Sequence, residues 1–171
     1  LSMSVIPVEY EGYKFNFLDT PGNAEFSAEI TQALSVVKGA VLMIDGAKGI
    51  DIGTEALLSD LNQKNIPTII FINKMDKENV KFEDLMKKLH EMIGNKAVPF
   101  LTPIVRNNDF KGYINIIDMV NRVIENGKLV NKPIPEDYLE NVNEVREGII
   151  EAVAMTSEEL LDKHFSGEEL S

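Results

Sequence analysis

The chain contains no cysteine. Disulfides, thiolate metal sites and cysteine nucleophiles are thereby excluded. Histidine is almost as scarce, with only His90 and His164 present, which argues against a multi-histidine zinc site. His90 falls beside Lys87 and Lys88 on a helical stretch and His164 lies near the chain end. Neither has a partner that points to acid–base catalysis. No apolar run approaches the roughly 20 residues of a membrane span. The longest, around Val41–Ile44 and Thr68–Ile72, have strand length. A basic leader followed by an apolar block is missing at the N-terminus, so no signal peptide and no membrane partner are expected, and the cytoplasm is the default location. There is no internal repeat and no low-complexity stretch.

What is present is ordinary for a globular chain: 171 residues, 44% hydrophobic and 26% charged. That length allows one domain, or one domain with a small appendage, and a sizeable core. The net charge is −11 and is uneven. Residues 1–106 hold 14 acidic and 11 basic side chains, a net of −3, whereas residues 107–171 hold 14 and 6, a net of −8. The C-terminal third should be repelled by bare nucleic acid, so DNA is not an expected partner. A solvated acidic surface and a protein-binding one both fit this segment.

Residues 4–10 and 13–18 read as two strands, with Tyr13, Phe15 and Phe17 alternating against Lys14 and Asn16. Glu11-Gly12 forms a two-residue hairpin link. Pro7 places the first strand at an edge or makes it start late. Phe26, Ile30, Ala33, Leu34 and Val37 predict a helix over 25–37, closed by Gly39. Residues 40–45 are a continuous apolar run that fits a strand buried on both faces of a parallel sheet. Gly46–Gly53 is a loop, 54–64 a helix with Thr54 as N-cap, and 67–73 a second buried strand. A further helix is predicted over 82–93 with Gly94 as its stop, and 97–105 is extended.

Alternation of strand and helix predicts an α/β doubly wound, mostly parallel sheet over residues 1–106. Ligands of such sheets bind beyond the carboxyl ends of strands, which the sequence punctuates with Asp19, Asp45 and Asn73. After Arg106 the character changes. Asn107-Asn108-Asp109 is a turn cluster. Short strands near 113–117 and 128–130 are joined by a helix or turn. Pro133 and Pro135 form a connector. Tyr138, Val142, Val145, Ile149 and Val153 predict a long amphipathic helix over 136–154, and a last helix spans about 157–164 from Thr156 or Ser157. Residues 107–171 thus read as a second, acidic subdomain of α+β type.

Two short motifs fall at strand ends. Asp19-Thr20-Pro21-Gly22 follows the second strand. An aspartate there can hold the water shell of Mg²⁺, which prefers hard oxygen ligands. A glycine three residues on lets a backbone N–H approach a terminal phosphate. The same four residues also suit a plain turn. Asn73-Lys74-Met75-Asp76 follows the buried strand. Asp76 can accept hydrogen bonds from the ring N–H and exocyclic amine of guanine, whereas adenine would turn a lone pair toward it. Lys74 can lay its aliphatic stem along a base plane, and Asn73 can bond the base and brace neighbouring loops. A polar loop is the plainer reading. Taken together, in order and separated by a helix, a strand and another helix, the two motifs have the layout of a guanine-nucleotide-binding domain. The Gly46-Ala47-Lys48-Gly49 loop flanked by Asp45 and Asp51 reads as a connector, and Glu158–Glu159 as a helix start.

The stretch Leu18-Asp-Thr-Pro-Gly-Asn-Ala-Glu-Phe26 resembles the translational GTPase signature Asp-Thr-Pro-Gly-His-x-Asp-Phe, and Asn73-Lys-Met-Asp76 matches that family's guanine motif. Phe110-Lys-Gly-Tyr-Ile-Asn-Ile-Ile-Asp118 and Ser166-Gly-Glu-Glu-Leu170 are similar to the insert of elongation factor G. The resemblance implies a P-loop NTPase-like fold over 1–106 with an inserted subdomain over 107–171. It implies GTP/GDP and Mg²⁺ as cofactors, with Asp19, Thr20, Pro21, Gly22, Asn73, Lys74 and Asp76 binding them and Asp19 reaching Mg²⁺ through water. It also implies a GTPase acting with the ribosome, through ribosomal RNA and the stalk protein, in translocation or a related step. Ribosomal protection and release-factor GTPases are sibling readings.

Three departures qualify it. No Gly-x-x-x-x-Gly-Lys-Ser/Thr run occurs, so the first strand and phosphate loop of the fold are absent and the 171 residues alone are expected to be inactive. The Ser-Ala motif that supports the base is also missing. Asn23 stands where the family places the histidine that positions the attacking water. Asparagine can hold a water but carries no positive charge, which leaves open a weakly hydrolysing paralogue acting as an interaction module.

Overall fold

The computed structural model describes residues 2–78, 80–106 and 109–167, with the side chain of Ala24 left out. The chain divides into two compact units, residues 1–44 with 50–72, and residues 45–49 with 73–171.

The first unit opens with the antiparallel hairpin β1 (Ser4–Tyr10) and β2 (Tyr13–Asp19). Glu11 and Gly12 have φ of 48° and 80°, so both link residues are left-handed, as a tight hairpin whose turn matches the strand twist requires. Glycine meets that requirement freely and glutamate accepts it. The register sets Ile6, Val8 and Tyr10 opposite Phe17, Phe15 and Tyr13, so one face of the hairpin is apolar and aromatic up to the polar pair Ser4 and Asp19 at its open end. The Phe15 and Phe17 rings stack there at 6.2 Å. Pro7 sits in a two-stranded sheet, where an edge position spares its missing N–H a partner.

A 3-10 turn over Ala24–Phe26 leads into α1 (Ser27–Leu34). The helix is shorter than its apolar stripe predicts. Ser35 stops it, donating its hydroxyl to the Gln32 carbonyl at 2.6 Å, the local competition with the helix ladder that serine offers. The strands β3 (Ala40–Asp45) and β4 (Thr68–Asn73) are hydrogen-bonded neighbours. The Ala40 N–H donates to Pro67 at 2.9 Å and the Gly46 N–H to Asn73 at 2.8 Å. The offset is the same at both ends, so the pair is parallel. Leu42 and Ile44 are buried, but Val41, Met43, Ile69 and Phe71 are about half exposed. The apolar runs therefore cover one face, not the two expected. A run without periodicity does not say which of its faces is packed.

Between these strands runs α2 (Ile52–Gln63). Its N-cap is Asp51, not Thr54. The Asp51 carboxylate accepts from both the N–H and the hydroxyl of Thr54, each at 2.8 Å, so an acceptor three residues upstream takes the role. The expected mostly parallel sheet is represented, among the described residues, by the β3–β4 pair. The other described pairings are antiparallel.

In the second unit α3 (Phe82–Ile93) buries Leu85 and Leu89 and ends at Gly94, which has the predicted positive φ of 62°. Four strands follow as an antiparallel meander: β5 (Leu101–Arg106), β6 (Asp109–Asn115), β7 (Val120–Glu125) and β8 (Lys128–Lys132). The sheet begins before the change in composition at Arg106, since β5 pairs with β6. The strand β7 lies where the sequence suggests a helix or turn. α4 (Glu136–Ala154) covers the sheet as its stripe predicts, with Val142 joining Ile104, Ile114 and Ile116 in a buried cluster flanked by Tyr138, Val145 and Ile149. The Arg146 guanidinium fastens it further by donating to the carbonyls of Ile116 and Ile117 at 2.9 and 2.7 Å. α5 (Glu158–Ser166) is capped by Ser157, which accepts from the Leu160 N–H at 3.2 Å, and closes on left-handed Gly167. Asn107 and Asn108 of the expected turn, and residues 168–170 of the insert pattern, lie outside the described residues. Among the described residues no helix is long and apolar enough to cross a membrane.

Candidate functional site

The carboxyl ends of β3 and β4 meet in the second unit. The Gly46 N–H bonds the Asn73 carbonyl, which brings the loop after β3 against the loop after β4. The approach leaves little room for a side chain at Gly46. A Cβ on Gly46 would stand 3.0 Å from the Asn73 oxygen, 3.1 Å from Val80 Cγ1 and 3.2 Å from Met75 Sδ. The Asn73 side-chain oxygen accepts from the Lys74 N–H at 2.8 Å. Lys74 itself has a left-handed φ of 60°, a conformation uncommon outside glycine and asparagine. The Lys77 N–H returns to the Lys74 carbonyl at 3.1 Å and completes a tight turn that holds Asp76 on the surface.

These turns surround an open hollow of about 620 Å³ lined by Asp45, Lys48, Lys74, Asp76 and their neighbours. Of the sequence motif, Lys74 and Asp76 line this surface, while Asn73 braces the turn through its bond to the Lys74 N–H. Asp45 joins them. One carboxylate oxygen of Asp45 accepts from Lys74 Nζ at 2.6 Å, and the other from the N–H groups of Ala47 and Lys48 at 3.0 and 3.3 Å. The hydrogen bond from Lys74 is the main cause that holds the Asp45 carboxyl below its ordinary range, with the two backbone N–H groups adding to it against a partial loss of solvent. A depressed carboxyl keeps its pairing above the ordinary aspartate range and loses it only as pH falls below that range. The ion pair is therefore intact at neutral pH. In the sequence Asp45 reads as a flank of a connecting loop, although it stands at a strand end like Asp19 and Asn73.

The other motif belongs to the first unit. Asp19 is the last residue of β2, paired opposite Ser4, and is exposed. Thr20 and Pro21 are half-buried and Gly22 is exposed. A Cβ on Gly22 would meet no atom of the chain within 4 Å, so packing does not require glycine there. The Asn23 carbonyl accepts from the Phe26 N–H at 2.9 Å and opens the 3-10 turn ahead of α1. Its side chain faces solvent.

Residues 1–162 match the family described as the elongation factor Tu GTP binding domain. The fold is similar to a crystal structure of a Thermus thermophilus protein, with a TM-score of 0.87 at 26% sequence identity over 99% of this chain. The chain spans 26% of the length of that protein. These similarities assign the α/β fold of P-loop GTPase domains.

Proposed function

Because the chain belongs to the family of the elongation factor Tu GTP-binding domain, a translational GTPase family, and is elongation factor G-like within it, we propose that it is the guanine-reading and second-switch part of a factor that hydrolyses GTP on the ribosome during translocation or a related step. The observation that carries the proposal is that Lys74 and Asp76 line one open hollow at a strand end, with the Asn73 side chain bracing their turn through the Lys74 N–H. Asp76 offers a solvent-facing carboxylate whose two oxygens suit the paired N–H donors of guanine. The stem of Lys74 supplies an apolar surface for the base plane.

In the same proposal Asp19 holds Mg²⁺ through water. Its exposed carboxylate at the end of β2 has the hard oxygens that Mg²⁺ prefers. Gly22 meets the γ-phosphate through its N–H and passes the contact to α1 as the second switch. The free space around its Cα fits a position where a ligand, not the chain, calls for glycine. When bound, Mg²⁺ neutralises phosphate charge and orients the terminal phosphate. A phosphate loop is absent from the 171 residues, and we assign the α- and β-phosphate cradle to a preceding segment of a longer protein. Residues 1–106 are then a partial G domain and 107–171 an acidic inserted subdomain that faces ribosomal partners such as the stalk protein, with β5 at the end of the first part pairing to β6 of the second. A cytoplasmic location follows from that role.

Asn23 favours a second reading, a weakly hydrolysing paralogue. Its side chain can hold a water by hydrogen bonding, yet it supplies no positive charge. Single-turnover GTP hydrolysis by the full-length protein, with and without ribosomes, separates the two. The first reading predicts strong ribosome stimulation. GTP binding with no stimulation supports the second, and failure to bind guanine nucleotides overturns both.

A further inference from the structure

Lys74 carries its charge along the wall of the hollow to Asp45, which also lines it. Its Cα stands just after β4, yet its ammonium reaches the end of β3 and donates to Asp45 at 2.6 Å. The Asp45 carboxylate is itself fixed. Its second oxygen holds the N–H groups of Ala47 and Lys48, and its own carbonyl accepts from Lys48 and Gly49 at 3.1 and 2.9 Å. Asp45 is thus a rigid anchor at one end of a flexible lysine stem. The other end is pinned by the left-handed backbone of Lys74 and the Asn73 oxygen on its N–H. A four-carbon chain held at both ends presents its methylenes as a fixed strip.

We infer that Asp45 is a positioning residue for guanine nucleotide recognition: it draws the Lys74 ammonium to the end of β3 so that the lysine stem lies as a pre-set apolar surface for the base. The inference rests on the reading of Asn73, Lys74 and Asp76 as the base site. Pre-setting the side chain removes rotamer freedom before binding and so reduces the ordering cost that a base would otherwise meet. Asp45 acts through Lys74 and touches no base edge. It should therefore raise affinity for any purine nucleotide that stacks there, without altering discrimination at the exocyclic amine, which belongs to Asp76.

The test uses the full-length protein, fluorescent GDP as the probe, and IDP, which lacks the exocyclic amine, as competitor. Asp45→Asn keeps an oxygen for the Ala47 and Lys48 N–H groups and removes only the charge. It is expected to weaken GDP about fivefold, the upper end for a part-exposed ion pair, mainly through faster release. The GDP-to-IDP affinity ratio should not change. Lys74→Met keeps an apolar stem and removes the charge from the other side. In that background Asp45→Asn should change affinity by less than about twofold, because the coupling partner is already gone. An unchanged affinity in Asp45→Asn, an equal loss in both backgrounds, or a collapsed GDP-to-IDP ratio overturns the inference. If GDP binding depends on Asp76 but ignores Asp45→Asn, the base-site reading stands and only the role of Asp45 falls. If the full-length protein binds no GDP, both fall.

Discussion

Replacing Asp76 with alanine in the full-length protein is expected to lower GDP affinity by about 10³-fold or more and to leave the weak ADP affinity no lower than before. The carboxylate would accept from the ring N–H and the exocyclic amine of guanine, two charge-assisted bonds that run stronger than neutral ones. Adenine presents an acceptor at the ring position and no amine beside it, so the wild-type carboxylate faces a lone pair. Removing it deletes the bonds to guanine and the repulsion toward adenine together. Specificity should collapse from the guanine side. The fold should not suffer, because Asp76 is exposed on a turn whose backbone is tied by Lys74 and Lys77. Parallel GDP and ADP titrations, with thermal melting as the control for folding, read the effect.

The second large effect is on stability. Gly112→Ala should destabilise the second unit by roughly 3 kcal/mol. Gly112 has φ of 152°, and a Cβ there would stand 2.3 Å from the Arg122 carbonyl oxygen and 3.0 Å from Val123 Cα. Both obstacles are backbone atoms of β7 and cannot rotate away. Gly112 also sits at the irregularity where pairing with β5 passes from Ile104 to Val105, so the chain needs an unusual conformation at the same point where two strands press close. The neighbouring cluster of Ile104, Ile114, Ile116 and Val142 depends on that register. Gly148→Ala is the matched control. It lies in α4 with nothing within 4 Å of a new Cβ, so alanine should leave stability unchanged or raise it by about 0.5–1 kcal/mol. Denaturant unfolding of the two variants side by side reads the contrast.

Much of this arrangement is legible in the sequence where a local rule speaks alone. Glu11-Gly12 and Gly94 announce a turn and a helix stop, and both take the expected positive φ. The stripe from Tyr138 to Ile149 gives α4 because its period matches a helix facing one core, while Val153 at its end is exposed. The Asn73-Lys74-Asp76 motif is legible because its residue types have a joint chemical meaning.

What escapes the sequence depends on partners distant along the chain. β7 escapes although Asn126-Gly127, both left-handed at 51° and 74°, is a strong hairpin signal. Val-Asn-Arg-Val-Ile-Glu alternates too weakly to declare a strand until β6 and β8 flank it. Thr54 yields its capping role to Asp51 because both residue types satisfy the rule and only geometry ranks them. Asp45 is legible as a strand end, but its pairing with Lys74 is not, because the two are 29 residues apart and come near only when β3 and β4 lie parallel. Gly112 gives no signal, since the need for glycine arises from the backbone of another strand.

The central claim is that Asp76 reads the edge of a guanine base, and a gain of binding tests it better than a loss. Xanthine carries an oxygen where guanine carries its exocyclic amine. Asp76→Asn exchanges an acceptor for an amide that can donate to that oxygen. Equilibrium titration of GDP and XDP against the wild-type and Asp76→Asn full-length proteins should show the preference invert, with GDP tighter in the wild type and XDP tighter in the variant. An Asp76→Asn protein that still prefers GDP over XDP would contradict the account.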